Sequence, residues 1–292
     1  TATGGTVTYA WTNSNSSIGI AASGTGNIAS FNAINNSNVP VTATITVTPT
    51  FTNGGVSCTG TAQSFTVTVN PTAVVNAVSS QTVCAGSSNS AVTFSSPVAG
   101  TIYSWTNSNP SIGLAASGTG NIPSFVAVNP SPNAINATIT VTPNTPAGCI
   151  GQAITYTITE NGLSVAPVSI NNQTPIVCAN NAFATLSVNG GTLGTGAVWK
   201  WYADSLTTVS IGSGATLANI PVAKTTTYFV RAEGTCNNTA AASVVVQRAN
   251  LVSHVRQHWS DVLLFDNSSK NFVAWQWYKN GVAVSGATLQ QY

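Results

Sequence analysis

The sequence predicts an all-β protein built as a tandem array of β-sandwich domains, and three observations support this. Apolar residues alternate with Thr, Ser and Asn at a period of two over several segments. A long stretch of sequence recurs after 94 residues. Only 4% of the 292 residues are charged, although 43% are hydrophobic. A chain this rich in aliphatic residues is not a disordered one, and Val, Ile and Thr favour half-buried strands.

The alternation identifies individual strands. In the segment VTATITVTP (41–49), four apolar residues alternate with four threonines, and SFTVTVNP (64–71) and AITYTITE (153–160) repeat the pattern. Such alternation is typical of a strand with one buried and one solvated face. Clusters of Gly, Asn, Ser and Pro separate these segments, as expected of a β-sandwich.

The recurring stretch is WTNSNSSIGIAASGTGNIASF (11–31), which returns as WTNSNPSIGLAASGTGNIPSF (105–125). From Trp11 to Pro49, 28 of 39 positions are identical in the second copy. Its glycines spell the G-x-G-x-x-A pattern of a dinucleotide-binding turn. That turn needs an acidic residue about 20 positions later, and none is present; in the second copy Pro123 also takes the third position. We therefore interpret residues 23–29 as a loop between strands, whose glycines permit turn geometry.

Four units are predicted: 1–70, 71–161, 162–247 and 248–292. The first is expected to lack its beginning and the last to stop inside a domain. The last two share a Trp-x-Trp-Tyr signature, in VWKWYADS (198–205) and WQWYKNG (275–281). A Trp in an early strand and a Tyr in a late strand form the immunoglobulin-like arrangement. The fold class expected is therefore a beads-on-a-string array of immunoglobulin-like sandwiches.

The cysteines predict two disulfides inside domains, Cys84–Cys149 and Cys178–Cys236, because each pair falls near the first and the late strands of one unit. Cys58 stands where Cys149 stands in the second unit. Its expected partner falls before residue 1, so Cys58 is predicted to be unpaired by truncation. Disulfides of this kind indicate an oxidising compartment outside the cytosol.

The composition argues against an enzyme, a cofactor and a metal site. No Asp, Glu, Lys, Arg or His precedes Glu160, which leaves little for general acid–base catalysis. His254, His258 and Asp261 are candidates for a metal pair, or else simply polar side chains on a linker or edge strand. A net charge of +2 argues against a nucleic-acid partner. The sequence contains no run of 18 apolar residues, so no membrane span is predicted.

The aromatic residues of the last two units allow two interpretations. They form a platform that stacks on sugar rings, or they belong to the core. Alternation places the side chains of Trp199 and Trp201 on one face of a strand, which favours the core. Trp275 and Trp277 are the equivalent pair in the last unit.

These residues carry a family resemblance. YSWTNSNPSIGLAASGTGNIPSF (103–125), followed by ATITVTP and a late Cys-x-Gly, resembles the PKD-like repeats of large secreted proteins from the Bacteroidota. KWYAD and TTTYFVRAEG-C resemble the immunoglobulin-like domains of the same proteins, and residues 258–281 resemble a segment near their C-terminal end. The acidic Trp-Asp-Phe-Gly-Asp core of true PKD domains is absent, and Trp105-Thr106-Asn107 stands in its place.

The resemblance implies export by the type IX secretion machinery and a place outside the cell or on its surface. It implies a role as an adhesin, including gliding-type adhesins, or as a spacer that carries one. Ser205, in Asp204-Ser205-Leu206, resembles the O-glycosylation acceptor of that phylum.

The sequence thus predicts a non-catalytic structural or adhesive stalk. Its expected partners are a surface polysaccharide or other cells. Self-association through uncharged strand edges is also expected. The alternatives are a carbohydrate-binding module and a non-catalytic part of a secreted hydrolase.

Overall fold

The computed structural model of the chain describes residues 4–177, 183–249, 255–259, 262–265 and 276–288. The chain divides into two compact units, Thr1–Asn161 and Gly162–Tyr292. Strands and loops build both units, with two short 3₁₀ helices, and the described residues contain no α-helix. No helix among them is long and apolar enough to cross a membrane.

The first unit contains two copies of one sheet, one for each copy of the repeated sequence. The first copy comprises β1 (Thr6–Asn13), β2 (Ser23–Thr25), β3 (Val41–Asn53), β4 (Val56–Thr59) and β5 (Gln63–Val69). The second copy comprises β6 (Gln81–Cys84), β7 (Ile102–Asn107), β8 (Ser117–Thr119), β9 (Ile135–Asn144) and β10 (Ile154–Asn161). Strand order is β2-β1-β3-β4 in the first sheet, with β5 also paired to β3, and β6-β10-β9-β7-β8 in the second.

In the second copy, the apolar residues of each strand face the same side of the sheet, and the core lies on that side. Ala137, Ile139 and Val141 of β9 are all 0% exposed. They pack with Tyr156 and Ile158 of β10. The predicted alternation is therefore present, since the intervening threonines point away from this core.

The recurring Trp-Thr-Asn-Ser-Asn motif builds a turn that ends in a 3₁₀ helix, Pro110–Ile112 in the second copy. The Asn107 side chain donates from Nδ2 to the Leu114 carbonyl oxygen at 2.9 Å, and its Oδ1 accepts from the Asn109 N–H at 2.9 Å. Ile112 is thereby held at 0% exposure. Asn107 thus has a structural role in this chain.

The interpretation of residues 23–29 as a loop needs correction, because Ser23–Thr25 forms strand β2 and pairs with β1. Gly24 lies opposite Trp11, and a Cβ on Gly24 would come within 2.2 Å of the Trp11 ring. Close approach of the indole therefore requires this glycine. Turn geometry applies only to Gly26, which has φ +74°.

The second unit is a two-layer sandwich. A three-stranded sheet has the order β11-β13-β16, and a five-stranded sheet has the order β12-β18-β17-β14-β15. The strands of the sandwich are β11 (Ser169–Asn172), β12 (Ile176–Val177), β13 (Phe183–Asn189), β14 (Val198–Tyr202), β15 (Ser210–Ser213), β16 (Thr216–Pro221), β17 (Thr226–Glu233) and β18 (Ala242–Arg248). Two short hairpins follow, β19 (Val255–Trp259) with β20 (Val262–Phe265) and β21 (Tyr278–Lys279) with β22 (Val282–Ala283).

Candidate functional site

The paired tryptophans of β14 belong to the core of the second unit. Trp199 is 6% exposed and Trp201 is 0% exposed. Both pack with Leu186, Tyr228 and Val230, and the Trp201 Nε1 donates to the Gly214 carbonyl oxygen at 2.8 Å. A buried ring cannot stack on a sugar, so the platform prediction is wrong for these two residues and the core interpretation is correct.

The other predicted platform pair is only partly described. Trp277 is half-buried, and its backbone bonds to Ala287 and Val284 hold it in the β21–β22 hairpin. Trp275 lies outside the described residues. A platform built on this pair stays a prediction.

The predicted Cys84–Cys149 disulfide is absent, since Cys149 has a free thiol. The register of the sheet gives the reason. Cys84 lies opposite Asn161, at the end of β10, whereas Cys149 lies in the loop that leads into the start of that strand. At roughly 3.4 Å per residue, the length of β10 keeps the two cysteines about 20 Å apart. A disulfide requires Cα atoms within about 7 Å.

Cys84 and Cys236 are each disulfide-bonded. The predicted partner of Cys236, Cys178, lies outside the described residues. The Cys178–Cys236 pairing therefore stays a prediction.

Cys58 has a free, exposed thiol. Its counterpart Cys149 is also free, although the second copy contains Cys84. A missing counterpart of Cys84 therefore does not explain why the Cys58 thiol is free.

A polar cluster of Tyr202, Arg231 and Glu233 lies on the outer face of the five-stranded sheet, where β14 and β17 pair. The Tyr202 hydroxyl donates to Glu233 Oε1. The same oxygen accepts from Arg231 Nε at 2.7 Å and lies 2.6 Å from Arg231 Nη2. The Arg231 guanidinium also lies 5.4 Å from the centre of the Tyr202 ring.

This cluster holds Glu233 in its ionised form. The hydrogen bond from Tyr202, followed by the hydrogen bond and charge of Arg231, lowers the pKa of the Glu233 carboxyl. Burial first, and Glu233 second, raises the pKa of Tyr202. A carboxylate with a lowered pKa is a poor general acid, and glycoside hydrolysis needs a second carboxyl group facing it. The contacts support a structural role instead, because the hydrogen bond from Tyr202 to Glu233 joins β14 to β17. The sequence alone does not reveal this cluster, because the pairing of β14 with β17 creates it.

Glu160 is the one carboxyl group in the described part of the first unit, and it is 0% exposed. No hydrogen bond reaches Oε1 or Oε2. Burial raises the pKa of this carboxyl. The nearby Val128 N–H lowers the pKa of Glu160 in part. The Val128 N–H nevertheless donates its hydrogen bond to the Ile112 carbonyl oxygen and not to the carboxyl group. Because Glu160 is closed off from solvent, it offers a substrate no access.

Two further predicted groups can be placed. Ser205 is exposed in a turn whose Asp204 Oδ1 accepts from the Thr208 N–H at 3.2 Å, so glycosylation there stays a prediction. His254, Asp261 and the side chain of His258 lie outside what the structure describes. Among the side chains that it does describe, no group of three His, Cys, Asp or Glu could hold a metal ion.

Comparison with known proteins identifies two domains. Residues 81–162 match the family model described as PKD-like domain. Residues 164–248 match the model described as Ig-like domain, CHU_C associated. None of the curated proteins compared with this chain matches it.

Solved structures of tandem immunoglobulin-like domains are similar to this chain. The N-terminal four Ig domains of Dscam1 isoform 1.9 are 12% identical, with 84% of this chain and 70% of that chain covered and a TM-score of 0.36. Extracellular domains 3–5 of Drosophila OTK are 11% identical, with 84% and 86% covered and a TM-score of 0.38. Three N-terminal domains of the Hoc outer capsid protein of bacteriophage RB49 are 14% identical, with 83% and 88% covered and a TM-score of 0.37.

These identities and TM-scores are too low to transfer any function. The predicted fold class, tandem all-β domains of the immunoglobulin type, is confirmed by the two family models and the sheets themselves.

Proposed function

We propose that this chain is the stalk of a secreted bacterial surface adhesin, a non-catalytic region that separates a binding tip from the cell and bears mechanical load. The observation that carries the proposal is the tandem occurrence of a PKD-like and an Ig-like domain, at residues 81–162 and 164–248. Export by the type IX machinery and an origin in the Bacteroidota are part of the same proposal, and they rest on the sequence resemblance alone.

The use of the aromatic and charged side chains supports a structural role. The tryptophans that could have bound a glycan, Trp199 and Trp201, fill the core. The Arg231–Glu233 pair joins two residues of one strand and is capped by Tyr202 of the next. These groups hold strands together, and a stalk needs strands that resist separation. With those two tryptophans buried, the alternative of a carbohydrate-binding module is left with Trp275 and Trp277.

Stretching the whole chain between a surface and a force probe, under reducing conditions, tests the proposal. Each folded sandwich should release its length in one step. A domain of some 85 residues at about 3.5 Å per residue yields a step of roughly 25–30 nm. We expect two such steps, one for each matched domain. Smooth extension without steps would contradict a load-bearing role.

A variant assigns the steps. Trp201→Ala removes a fully buried indole and should cost about 3–5 kcal/mol in the second unit. One step should then disappear or weaken, while the other is unchanged. Thr208→Ala, on the exposed turn after β14, is the matched control and should leave both steps as they were.

A further inference from the structure

A cleft of about 570 Å³ lies in the second copy of the repeat, where β7 meets the ends of β8 and β9. Its volume falls within the range of roughly 300–1,000 Å³ that small-molecule sites occupy. Tyr103 forms a fixed wall, because its ring centre lies 5.5 Å from that of Phe94. The side chains that line the cleft are uncharged and belong to Thr101, Ile102, Tyr103, Ser104, Thr119 and Asn144.

The first feature of the cleft is a row of side chains that is apolar at both ends. Ile102 of β7 lies opposite Asn144 of β9, which lies opposite Ile150. Ile102 is 60% exposed and Ile150 is 67% exposed, so both lie on the solvent side of the sheet. We call Ile102, Asn144 and Ile150 the isoleucine row. It offers apolar surface that a ligand can remove from water.

A row of hydroxyl groups runs beside the isoleucine row. Ser104 lies opposite Thr119 on one side and opposite Thr142 on the other. Ser104 is two residues along β7 from Ile102, so the two rows are about 7 Å apart. The Ser104 hydroxyl donates only over 3.5 Å, to the Thr142 carbonyl oxygen. A ligand can therefore replace this long hydrogen bond with a shorter one.

Asn144, in the middle of the isoleucine row, has an acceptor without a partner. Its Oδ1 is shielded from solvent, and no described residue donates to it. Buried side-chain acceptors are normally hydrogen-bonded. The χ2 torsion of an asparagine is broad, so a modest rotation turns the amide toward the cleft. A ligand hydroxyl could then donate to Oδ1 or accept from Nδ2.

The surroundings of the cleft select an uncharged ligand. No Asp, Glu, Lys, Arg or His precedes Glu160. Glu160 lies opposite Ile135, nine residues before Asn144 on the same strand, which corresponds to about 30 Å. A charged ligand would lose part of its hydration in the cleft and meet no opposite charge. The hydroxyl groups of a neutral ligand would exchange water for the Ser, Thr and Asn side chains.

We propose that this cleft binds a neutral saccharide. The C–H face of a sugar ring covers Ile102 and Ile150, and its hydroxyl groups bond to Asn144, Ser104 and Thr119. Apolar surface combined with a few convergent polar groups is the usual composition of a small-molecule site. The site lies in the PKD-like domain, is separate from the tryptophans of the second unit, and does not depend on the proposed role as a stalk.

The first copy of the repeat provides an internal comparison. Its strand β1 pairs with β3 in the same register as β7 with β9. Ala10 stands in the place of Ser104, and Thr50 stands in the place of Asn144. Thr8 stands where the second copy has the first isoleucine of the row. The first copy therefore lacks the amide, one hydroxyl group and one apolar side chain, and we expect one site per chain.

Fluorescence anisotropy of labelled tetrasaccharides, titrated with the full 292-residue chain, tests the proposal. The neutral probes are cellotetraose, maltotetraose, mannotetraose and the tetramer of N-acetylglucosamine, and the acidic comparator is tetragalacturonate. We expect saturable binding of at least one neutral probe, and binding of tetragalacturonate that is at least about 10-fold weaker. The proposal is wrong if no neutral probe binds, or if tetragalacturonate binds as tightly as the best of them.

A variant and its matched control locate the site. Ser104→Trp fills the cleft from an exposed position on β7, so the chain should still fold. Binding of the neutral probe should fall about 10-fold or more, because the indole clashes with the ligand. Thr106→Trp makes the same change at the next exposed position on the same face of β7, outside the cleft. It should change the affinity less than about twofold.

Asn144→Ala tests the polar contact without filling the cleft. Loss of the amide should weaken binding about 5-fold, the effect of one lost hydrogen bond. Melting temperatures of the three variants verify that each is folded. The proposal is overturned if binding is unchanged in both Ser104→Trp and Asn144→Ala, because the saccharide would then lie elsewhere. The force steps of Ser104→Trp should match those of the unmodified chain, which separates this result from the test of the stalk.

Discussion

Glu160 and Glu233 are two carboxyl groups that the fold places in opposite surroundings. Glu160 is fully buried without a hydrogen bond to either oxygen, whereas Glu233 accepts from Tyr202 and Arg231. Burial therefore raises the pKa of Glu160, and hydrogen bonding lowers that of Glu233. The two groups must contribute to stability with opposite dependence on pH.

Replacement of each carboxyl by an amide should separate these contributions. The folded pKa of Glu160 is raised above its ordinary value of 4.5, so folding takes up a proton, and stability falls as pH rises from about 4.5 through the folded pKa. Glu160→Gln should remove this loss, and its unfolding free energy relative to the unmodified chain should increase from pH 4 to pH 8. Urea unfolding of the first unit at several pH values measures it.

Glu233→Gln is the control, and its sign is reversed. The folded pKa of Glu233 is lowered, so the stability that its carboxylate contributes is present above about 4.5 and is lost as pH falls toward the folded pKa. The amide variant should be destabilised at pH 7 and approach the unmodified chain in acid. A Glu160→Gln variant with the same pH dependence as Glu233→Gln would contradict the burial of an unpartnered carboxyl.

At the scale of strands, alternation in the sequence predicts much of the fold. The segments 41–49, 64–71 and 153–160 lie within or beside β3, β5 and β10, because one buried face requires a period of two. Trp201 was likewise predictable as core. The strand at Ser23–Thr25 was not predictable from the sequence, because Gly and Ser favour turns. Only the pairing with β1 makes a strand there.

Register is what sequence reasoning could not supply. Proximity of Cys84 to Cys149 was inferred from their positions near the first and late strands. The sheet places one cysteine at each end of β10, because β6 runs parallel to it. The Tyr202–Glu233 contact depends on the pairing of β14 with β17 in the same way. Neither relation leaves a signal in a single sequence.

The register makes a direct prediction about the thiols. Alkylation of the denatured chain without reductant should label Cys58 and Cys149, which are free. It should leave Cys84 and Cys236 unlabelled, because both are disulfide-bonded. Mass spectrometry of peptic peptides measures the label at each position and identifies the residue bound to Cys84.

Cys149→Ser and Cys84→Ser form a matched pair of variants for this experiment. Cys149→Ser should not change the labelling of Cys84. Cys84→Ser should release a new thiol elsewhere than at position 149. A peptide linked through Cys84 and Cys149 would show that the register of β6 with β10 is wrong.

At the scale of the whole molecule, all the basic side chains lie after residue 199. Lys and Arg number seven in all, and the first of them is Lys200. The two compact units therefore differ in their sites for proteolysis. The first, Thr1–Asn161, has no site for a protease that cleaves after basic residues. This property belongs to the sequence and does not depend on folding.

Trypsin should accordingly leave the first 200 residues as one fragment even after the chain is reduced and unfolded, because cleavage needs a Lys or Arg and the first is Lys200. In the folded chain the same residue lies in β14, paired with β17. Cleavage should then begin at exposed Lys224, between β16 and β17, or further along. Intact mass measured during digestion distinguishes the two patterns. A folded chain cut first at Lys200 would contradict the pairing of β14 with β17. Lys224→Gln removes the exposed site, and this control variant should delay the first cut within the sandwich.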